Sequence, residues 1–184
     1  MSRRIVVTGT AGFIGFHTAK KLLDNGDFVI GIDSLTDYYD VQLKLDRLAI
    51  LQEYPKFTFN KTALEDREEI SKILIQDGID CVIHLAAQSG IRVPVNEAQR
   101  YIDSNLVGFW NILDCCRLSK IQHLVYASSS SVYGDQSEIP FSTNNGVDHP
   151  QSIYAATKRA NELLAHSYSH QWGLATTGLR FFTV

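Results

Sequence analysis

Tyr154 and Lys158 are the two residues whose types and spacing point most directly to chemistry. They stand four positions apart, so in a helix both side chains would lie on one face. An ammonium group close to a phenol favours the phenolate and lowers the pKa of the tyrosine from about 10. A phenolate of this kind can take the proton of an alcohol while the alcohol carbon gives up a hydride. The pair therefore predicts redox chemistry at an alcohol and requires a hydride acceptor.

The start of the chain supplies a binding site for such an acceptor. Residues 4–8 are predicted as a buried strand, glycines follow at Gly9, Gly12 and Gly15, and a helix is predicted over 13–25. A glycine-rich turn between a strand and a helix lets backbone N–H groups surround a pyrophosphate. The spacing is G-x-x-G-x-x-G rather than the G-x-G-x-x-G of many dehydrogenases. The turn predicts a dinucleotide site.

Asp33 directly follows the second predicted strand, 28–32. A carboxylate at this place can accept hydrogen bonds from the ribose diol of an adenosine and would repel a 2′-phosphate. It therefore favours NAD over NADP. A helix cap or turn residue is the alternative interpretation of Asp33.

A run of serines follows the fifth predicted strand, 122–127. Residues 128–131 are all serine, and Val132-Tyr133-Gly134 comes next. Ligands of open α/β sheets bind beyond the carboxyl ends of the strands, so these hydroxyl groups would face the cofactor. A solvated turn is the alternative, and the later Tyr154 favours a functional role.

Strand-like and helix-like segments alternate along the whole chain. This pattern is typical of an α/β protein with a doubly wound parallel sheet and helices on both faces. The polar segment 134–150 is predicted as a loop over the site. Strands are predicted at 4–8, 28–32, 57–60, 80–84, 122–127 and 174–180, and helices at 13–25, 38–54, 66–76, 97–119 and 151–171.

Length, composition and charge exclude several classes of function. The 184 residues are 45% hydrophobic, enough for one domain with a sizeable core. A net charge of −3 offers no basic surface for nucleic acid, and no apolar run reaches membrane-spanning length or suggests a signal peptide. Cys81, Cys115 and Cys116 are odd in number and lack metal-ligand spacing. They predict a reducing cytoplasm and no metal site.

Taken in chain order, seven motifs resemble the extended short-chain dehydrogenase/reductase superfamily. Within it, the chain is most similar to the nucleotide-sugar 4-epimerases, and in particular to UDP-glucuronate 4-epimerases. The resemblance implies a Rossmann fold, bound NAD, and inversion at C4 of a UDP-sugar through a transient 4-keto sugar. It also implies a homodimer formed by helices 97–119 and 151–171, the first with an apolar face at Leu106, Phe109, Trp110 and Leu113. The motifs occupy residues 7–15, 33–40, 84–88, 103–109, 126–134, 154–158 and 178–183.

The resemblance also implies roles for individual residues. Ser129, Tyr154 and Lys158 would form the catalytic group, with Ser129 bonding the substrate O4 and Lys158 bonding the nicotinamide ribose. An exposed loop arginine is the alternative for Arg92, and an amide on a helix surface is the alternative for Asn105. The implied substrate contacts are Ser129, Ser130, Ser131, Arg92 and Thr183. The implied NAD contacts are Gly9, Gly12, Phe13, Ile14, Gly15, Asp33, Ser34, Leu64, Leu85, Ala86, Ala87, Asn105, Tyr154 and Lys158.

The chain departs from the family pattern in two places. After the third strand the family usually has Gly-Asp, whose aspartate accepts from the adenine amino group, and here the pair is Thr62-Ala63. Loss of that hydrogen bond would weaken NAD binding by about 1–3 kcal/mol. The chain also stops at the sixth predicted strand. We therefore expect residues 1–184 to be the NAD-binding Rossmann domain with the catalytic group, and the small C-terminal substrate domain to be missing.

Three functions remain open on these grounds. The first is NAD-dependent 4-epimerisation of a UDP-sugar, UDP-glucuronate to UDP-galacturonate, impaired by the missing domain. The second is a non-catalytic NAD-binding module derived from such an enzyme. The third is a nucleotide-sugar reductase, against which Asp33 counts because it disfavours NADP. A 4,6-dehydratase is disfavoured because Ser130 and Ser131 stand where that activity uses an acidic pair.

Overall fold

Six parallel strands form one sheet in the computed structural model of the chain, which describes residues 2–76, 78–90, 97–135 and 139–184. Their order is β3-β2-β1-β4-β5-β6. The strand order reverses between β1 and β4, and at such a point a crevice opens at the carboxyl ends of the strands. The predicted doubly wound parallel sheet is confirmed. The strands are β1 (Arg4–Thr8), β2 (Phe28–Asp33), β3 (Phe57–Lys61), β4 (Cys81–His84), β5 (His123–Ser129) and β6 (Thr176–Phe181).

Helices connect the strands and cover both faces of the sheet. The predicted helix 97–119 is present, but its middle turn is a π-helix, Ile102–Val107, between two α-helical parts. A short 3₁₀-helix, Ser130–Tyr133, follows β5. The α-helices are α1 (Phe13–Asp24), α2 (Val41–Gln52), α3 (Arg67–Leu74), α4 (Ala98–Tyr101), α5 (Gly108–Leu118) and α6 (Ile153–Trp172).

Capping side chains set where three of these helices begin. Asp40, Asp66 and Ser152 each accept a hydrogen bond from a backbone N–H two or three residues further on. These bonds satisfy N–H groups that have no partner within the helix. The helices therefore begin one to three residues after the predicted starts. At the other end of α6, Gly173 has φ +70°, a left-handed conformation that ends the helix.

Among the described residues, two large apolar clusters form the core on the two faces of the sheet, and a small third one lies at Val132, Tyr133 and Val147. The side chains of β1 divide between the two large clusters: Val6 packs in the cluster that includes Phe109 of α5, while Ile5 and Val7 pack in the cluster that includes Phe16 of α1. Burial on both faces is the usual condition of a parallel sheet. This packing holds the strands in place, and the candidate site lies along their carboxyl ends.

Candidate active site

The glycine turn connects β1 to α1 and packs against the segment that follows β4. Gly9 has φ +75°, and a Cβ atom there would lie 2.9 Å from the backbone nitrogen of Ala86. A Cβ on Gly15 would overlap the carbonyl oxygen of Gly9. Both positions need glycine, because the backbone atoms nearest to each of them leave no room for a side chain. Phe13 and Ile14 are the first two residues of α1 and follow directly after this turn. A pyrophosphate site needs backbone N–H groups at this place, the N-terminus of a helix.

Asp33 lines the cavity and also holds the turn in place. Its Oδ2 accepts from the backbone N–H of Ala11 at 3.0 Å, and its Oδ1 accepts from that of Leu35 at 2.8 Å. A carboxylate has about four acceptor sites, so these two bonds leave capacity for a ribose diol. The turn role and the ribose role are compatible in this geometry.

Thr8 and His84 fix the backbone after β4. Thr8 Oγ1 accepts from the N–H groups of Leu85 and Ala86 at 3.1 and 3.0 Å, and it lies 2.9 Å from His84 Nδ1. Two accepted bonds use both lone pairs of the hydroxyl, so its proton is donated to Nδ1. Burial lowers the pKa of His84 to about 3, which keeps the ring neutral and able to accept. The segment that contains the predicted NAD contacts Leu85 and Ala86 is therefore anchored to β1.

Asn105 braces the same segment from the π-helix. Its Oδ1 accepts from the N–H of Gln88 at 2.8 Å, and its Nδ2 donates to the carbonyl of Gln88 at 3.0 Å and to Thr157 Oγ1 at 3.2 Å. The residue is buried, with 1% of its surface exposed. The interpretation as a helix-surface amide is wrong, and the bracing role is the one that the geometry supports.

Ser129, Tyr154 and Lys158 come together where the end of β5 meets the start of α6. Ser129 lies close enough to Tyr154 to lower the pKa of its phenol. Ser129 Oγ accepts from the N–H and the hydroxyl of Ser131, at 3.1 and 2.9 Å, so its own proton is the one available to Tyr154. Lys158 Nζ lies 5.8 Å from the centre of the Tyr154 ring and donates to the carbonyl of Ala127 at 2.9 Å.

The expected lowering of the Tyr154 pKa by Lys158 is wrong for this geometry. Burial raises the pKa of Tyr154, and the nearby Ser129 only partly opposes the rise. The Lys158 ammonium bonds a carbonyl rather than the phenol, and burial lowers its own pKa to about 8. Desolvation penalises both charged forms, and a four-residue spacing contains no information about burial.

A cavity of about 860 Å³ runs along the carboxyl ends of the strands, and most of the predicted contacts line it. Among the predicted NAD contacts, only Asn105 is not part of its wall. Ser129 is in the wall, whereas Ser130, Ser131 and Thr183 are not. Arg92 lies outside the described residues. The NAD contacts in the wall are Gly9, Gly12, Phe13, Ile14, Gly15, Asp33, Ser34, Leu64, Leu85, Ala86, Ala87, Tyr154 and Lys158.

Sequence reasoning missed a group of wall residues on α2 and the loop before it. Lys44 is buried, donates to the carbonyl of Thr36 at 2.7 Å and lies 4.4 Å from the centre of the Tyr39 ring. Arg47 donates to the carbonyl of Ala11 in the glycine turn at 3.2 Å. Desolvation lowers the pKa of Lys44, with Asp33 opposing. The sequence feature that could have indicated these wall residues is the motif at 33–40, from which only the family resemblance was inferred.

The far end of the cavity has no acidic side chain at position 63. Thr62, Leu64 and Glu65 line this end, and Ala63 supplies no acceptor. Asp66 is already engaged, because it accepts from the N–H of Glu69 at 3.1 Å as the cap of α3. The departure at position 63 therefore persists in three dimensions, and Glu65 is the carboxylate that remains in the wall beside it.

In the part of the chain that the structure describes, no three or more His, Cys, Asp or Glu side chains are arranged to hold a metal ion. Within the same residues, no helix has the length and apolar character needed to cross a membrane. Cys81, Cys115 and Cys116 are free thiols.

The strand order and the Ser-Tyr-Lys group together define the class: an extended short-chain dehydrogenase/reductase with the cofactor crevice between β1 and β4. The sequence pattern of the NAD dependent epimerase/dehydratase family matches residues 5–184, and the chain belongs to this family. The prediction of NAD as the cofactor is confirmed by that membership.

Several relatives and solved structures match nearly the whole chain. Protein CapI of Staphylococcus aureus is 56% identical over 181 residues, which cover 98% of this chain and 54% of that protein. The probable UDP-glucuronate 4-epimerase of Rhizobium meliloti is 48% identical over 181 residues, covering 98% of this chain and 53% of that protein. The UDP-glucuronic acid 4-epimerase of Bacillus cereus, solved with UDP-glucuronic acid and NAD, has a TM-score of 0.91 at 34% identity, covering 98% of this chain and 56% of that one. The chain thus spans about half the length of the curated relatives it matches.

Proposed function

We propose that this chain is the NAD-binding part of a UDP-sugar 4-epimerase that converts UDP-glucuronate to UDP-galacturonate. The observation that carries the proposal is the group Ser129, Tyr154 and Lys158 in the wall of the cavity that also contains the glycine turn. Two of the similar proteins above are named as UDP-glucuronate 4-epimerases. The domain assignment, residues 1–184 as the Rossmann part, belongs to the same proposal.

NAD⁺, when bound, would supply the hydride acceptor for C4 of the sugar and the hydride donor for the opposite face of the 4-keto sugar. The work of the protein is to move the proton of the 4-hydroxyl. Tyr154 in its ionised form takes that proton as the hydride leaves and gives it back to O4 when the hydride returns. Ser129 favours the phenolate of Tyr154, and it bonds O4 once the hydroxyl of Ser131 has turned away from Ser129 Oγ. No proton or hydride is consumed over the full cycle.

We assign to Lys158 a hydrogen bond to the nicotinamide ribose, in addition to its bond to the carbonyl of Ala127 on β5. An ammonium has three donor hydrogens, and the carbonyl of Ala127 takes one of them. The ammonium is buried in the cavity wall, where a ribose diol would replace lost water contacts. Asp33 at the other end of the cavity supports NAD rather than NADP.

The choice of a glucuronate substrate depends on Ser130, Ser131, Thr183 and Arg92, which remain proposed contacts of the sugar carboxylate. Three hydroxyl donors could hold that carboxylate without placing a cation next to the oxidised nicotinamide. Ser131 donates its hydroxyl to Ser129 in this structure, so it would have to turn to reach a substrate. Ser130 and Ser131 also disfavour a dehydration reaction, since neither serine can act as the acid or base that this reaction requires.

Product analysis tests the proposal. The purified chain is incubated with NAD⁺ and UDP-glucuronate, and the nucleotide sugars are separated by chromatography. We expect UDP-galacturonate to form and to be absent with Tyr154→Phe, which removes only the phenolic oxygen. Absence of product from folded, NAD-bound wild type would instead support the non-catalytic module. Stoichiometric keto product with oxidation of NADPH would support the reductase.

A homodimer through the helices after β4 and before β6 is a further part of the proposal. Ile102, Val107 and Trp110 on the first helical segment and Leu163 on α6 are all more than a third exposed. Two residues of the expected apolar face, Phe109 and Leu113, are instead buried in the core of their own subunit. The exposed apolar residues support association of these helices with a second copy. A cytoplasmic location is proposed from the three free thiols.

A further inference from the structure

Glu162 on α6 is the centre of a buried polar cluster that the proposed mechanism does not use. Its carboxylate accepts from Ser128 Oγ at 2.6 Å, from Arg180 Nε and Nη2 at 2.8 and 2.9 Å, and from Arg159 Nη1 at 3.1 Å. Its side chain is only 12% exposed. Burial alone would raise its pKa, but the bonds from Arg180 and Ser128 leave the pKa lowered, so the group is ionised at neutral pH.

The bond to Ser128 is one of the contacts between α6 and the end of β5. One turn before Glu162, Lys158 donates to the carbonyl of Ala127. One turn earlier again, Tyr154 lies close enough to Ser129 for the serine to lower the pKa of the phenol. Residues four apart on a helix lie on one face, so three successive turns of α6 contact three consecutive residues of β5. The position of α6 along the strand decides whether Tyr154 meets Ser129.

Arg180 connects this cluster to the elements on the other side of the serine run. It lies on β6, which pairs with β5, and its guanidinium carbon is 4.8 Å from the centre of the Tyr133 ring in the 3₁₀-helix. The two-pronged bond between Arg180 and Glu162 gives the carboxylate a fixed orientation. Ser128 is 2% exposed and forms its bond within this rigid frame.

We propose that Glu162 is a positioning residue, which holds Ser128 so that the hydroxyl of the adjacent Ser129 reaches Tyr154. The inference rests on the proposed function, because it assigns Glu162 to the geometry of the proton-transfer pair. An ion pair that served only the stability of the fold would leave the Ser129–Tyr154 contact unchanged when Ser128 lost its hydroxyl.

The ionisation of Tyr154 reports this geometry without any turnover. Its pKa is followed by NMR of protein labelled with ¹³Cζ-tyrosine, and the Tyr154 resonance is assigned by its absence in Tyr154→Phe. Ser128→Ala removes the bond to Glu162 and leaves the arginine pairs intact, whereas Glu162→Gln also removes the charge. We expect the Tyr154 pKa to rise by roughly 0.5 unit in each variant, because the interaction with Ser129 that lowers it is weakened.

The direction of the shift distinguishes positioning from a simple charge effect. If Glu162 acted only through its charge, Glu162→Gln would lower the Tyr154 pKa, because loss of a negative charge favours the phenolate. Ser128→Ala would in that case leave the Tyr154 pKa unchanged. Either result overturns the proposal. In the double variant we expect the same shift as in Glu162→Gln, because both changes act through one contact. Should Glu162→Gln not fold, Ser128→Ala alone decides.

Glu68→Gln is the matched control, since it removes an exposed carboxylate that pairs with Lys72 on α3. It should leave the Tyr154 pKa unchanged. In protein that turns over UDP-glucuronate, Ser128→Ala should lower kcat roughly tenfold and change KM less than about twofold, the pattern of a lost transition-state geometry. If no variant and no wild type turns over, the proposed function fails while the NMR result still decides the role of Glu162.

Discussion

Tyr154 and Lys158 have pKa values displaced by burial in opposite directions, upward for the phenol and downward for the ammonium. Their types and spacing are visible in the sequence and identify the pair as a candidate for chemistry. The shifts of their pKa values are not visible in the sequence, because desolvation depends on the residues that pack around the pair from β5 and α6. Ser129, whose hydroxyl oxygen accepts two hydrogen bonds from Ser131, is the neighbour that favours ionisation of Tyr154.

Lys158→Met should remove a pH dependence of stability. In the folded chain the pKa of Lys158 is about 8, below its ordinary value of 10.5. Between these values the unfolded chain binds more protons than the folded one, so the stability of wild type rises with pH, by up to roughly 3 kcal/mol from this group. Urea unfolding of both proteins from pH 7 to 10 checks this. Identical pH profiles would contradict the assignment of a buried ammonium.

Ala63→Asp should tighten NAD binding. The new carboxylate would restore an acceptor at the end of β3, and a charge-assisted hydrogen bond of about 1–3 kcal/mol corresponds to roughly 5- to 150-fold in Kd. Isothermal titration with NAD⁺ measures the effect. Ala63→Leu, which adds volume without an acceptor, is the control and should not gain affinity. Equal Kd values for Ala63→Asp and wild type would show that this position does not face the adenine.

At the scale of elements, the largest departure from expectation is the π-helix between α4 and α5. A helix over 97–119 is predicted from its periodicity, but the widened turn places Asn105 where both its amide atoms reach the backbone of Gln88. Contacts between positions 17 residues apart cannot be read from local pattern. The same holds for Glu162, whose partners lie on β5, β6 and its own helix.

Asn105→Leu should therefore destabilise the chain more than an ordinary helix substitution. The change keeps a similar volume but leaves the N–H and carbonyl of Gln88 without their partner, at a cost of about 2–3 kcal/mol. Gln99→Leu, which removes an exposed amide bonded to Asp103 one turn earlier, is the control and should cost less than about 0.5 kcal/mol. Chemical denaturation of the two variants measures the difference. Equal losses would contradict the bracing role.

At the scale of the whole molecule, the sequence predicts the sheet and its helices correctly, and most of the predicted NAD contacts lie in the cavity wall. Short β-branched segments buried on both faces alternate with longer amphipathic ones, and the glycine turn and Asp33 mark the carboxyl ends of β1 and β2. The features that the sequence does not predict are those that need three-dimensional packing: the burial of Lys158, the wall residues Lys44 and Arg47, and the core position of Phe109.

Leu163→Glu should dissociate the proposed homodimer. Leu163 is 55% exposed on α6, and a charge there would have to be buried between the two copies. Ile50→Glu is the control, because Ile50 is 43% exposed on α2, outside the two helices of the proposed interface. Sedimentation velocity should show a dimer for wild type and Ile50→Glu and a monomer for Leu163→Glu. A wild type that remains monomeric would contradict the dimer.

The central claim is that the configuration at C4 inverts through loss and return of one hydride at a single site. UDP-glucuronate carrying deuterium at C4 tests it most directly, with mass spectrometry and NMR of the product formed by the NAD-bound chain. We expect UDP-galacturonate that keeps its deuterium at C4, formed more slowly than from unlabelled substrate and not at all by Tyr154→Phe. Product that has lost its deuterium to solvent, or product formed equally well by Tyr154→Phe, would contradict the account.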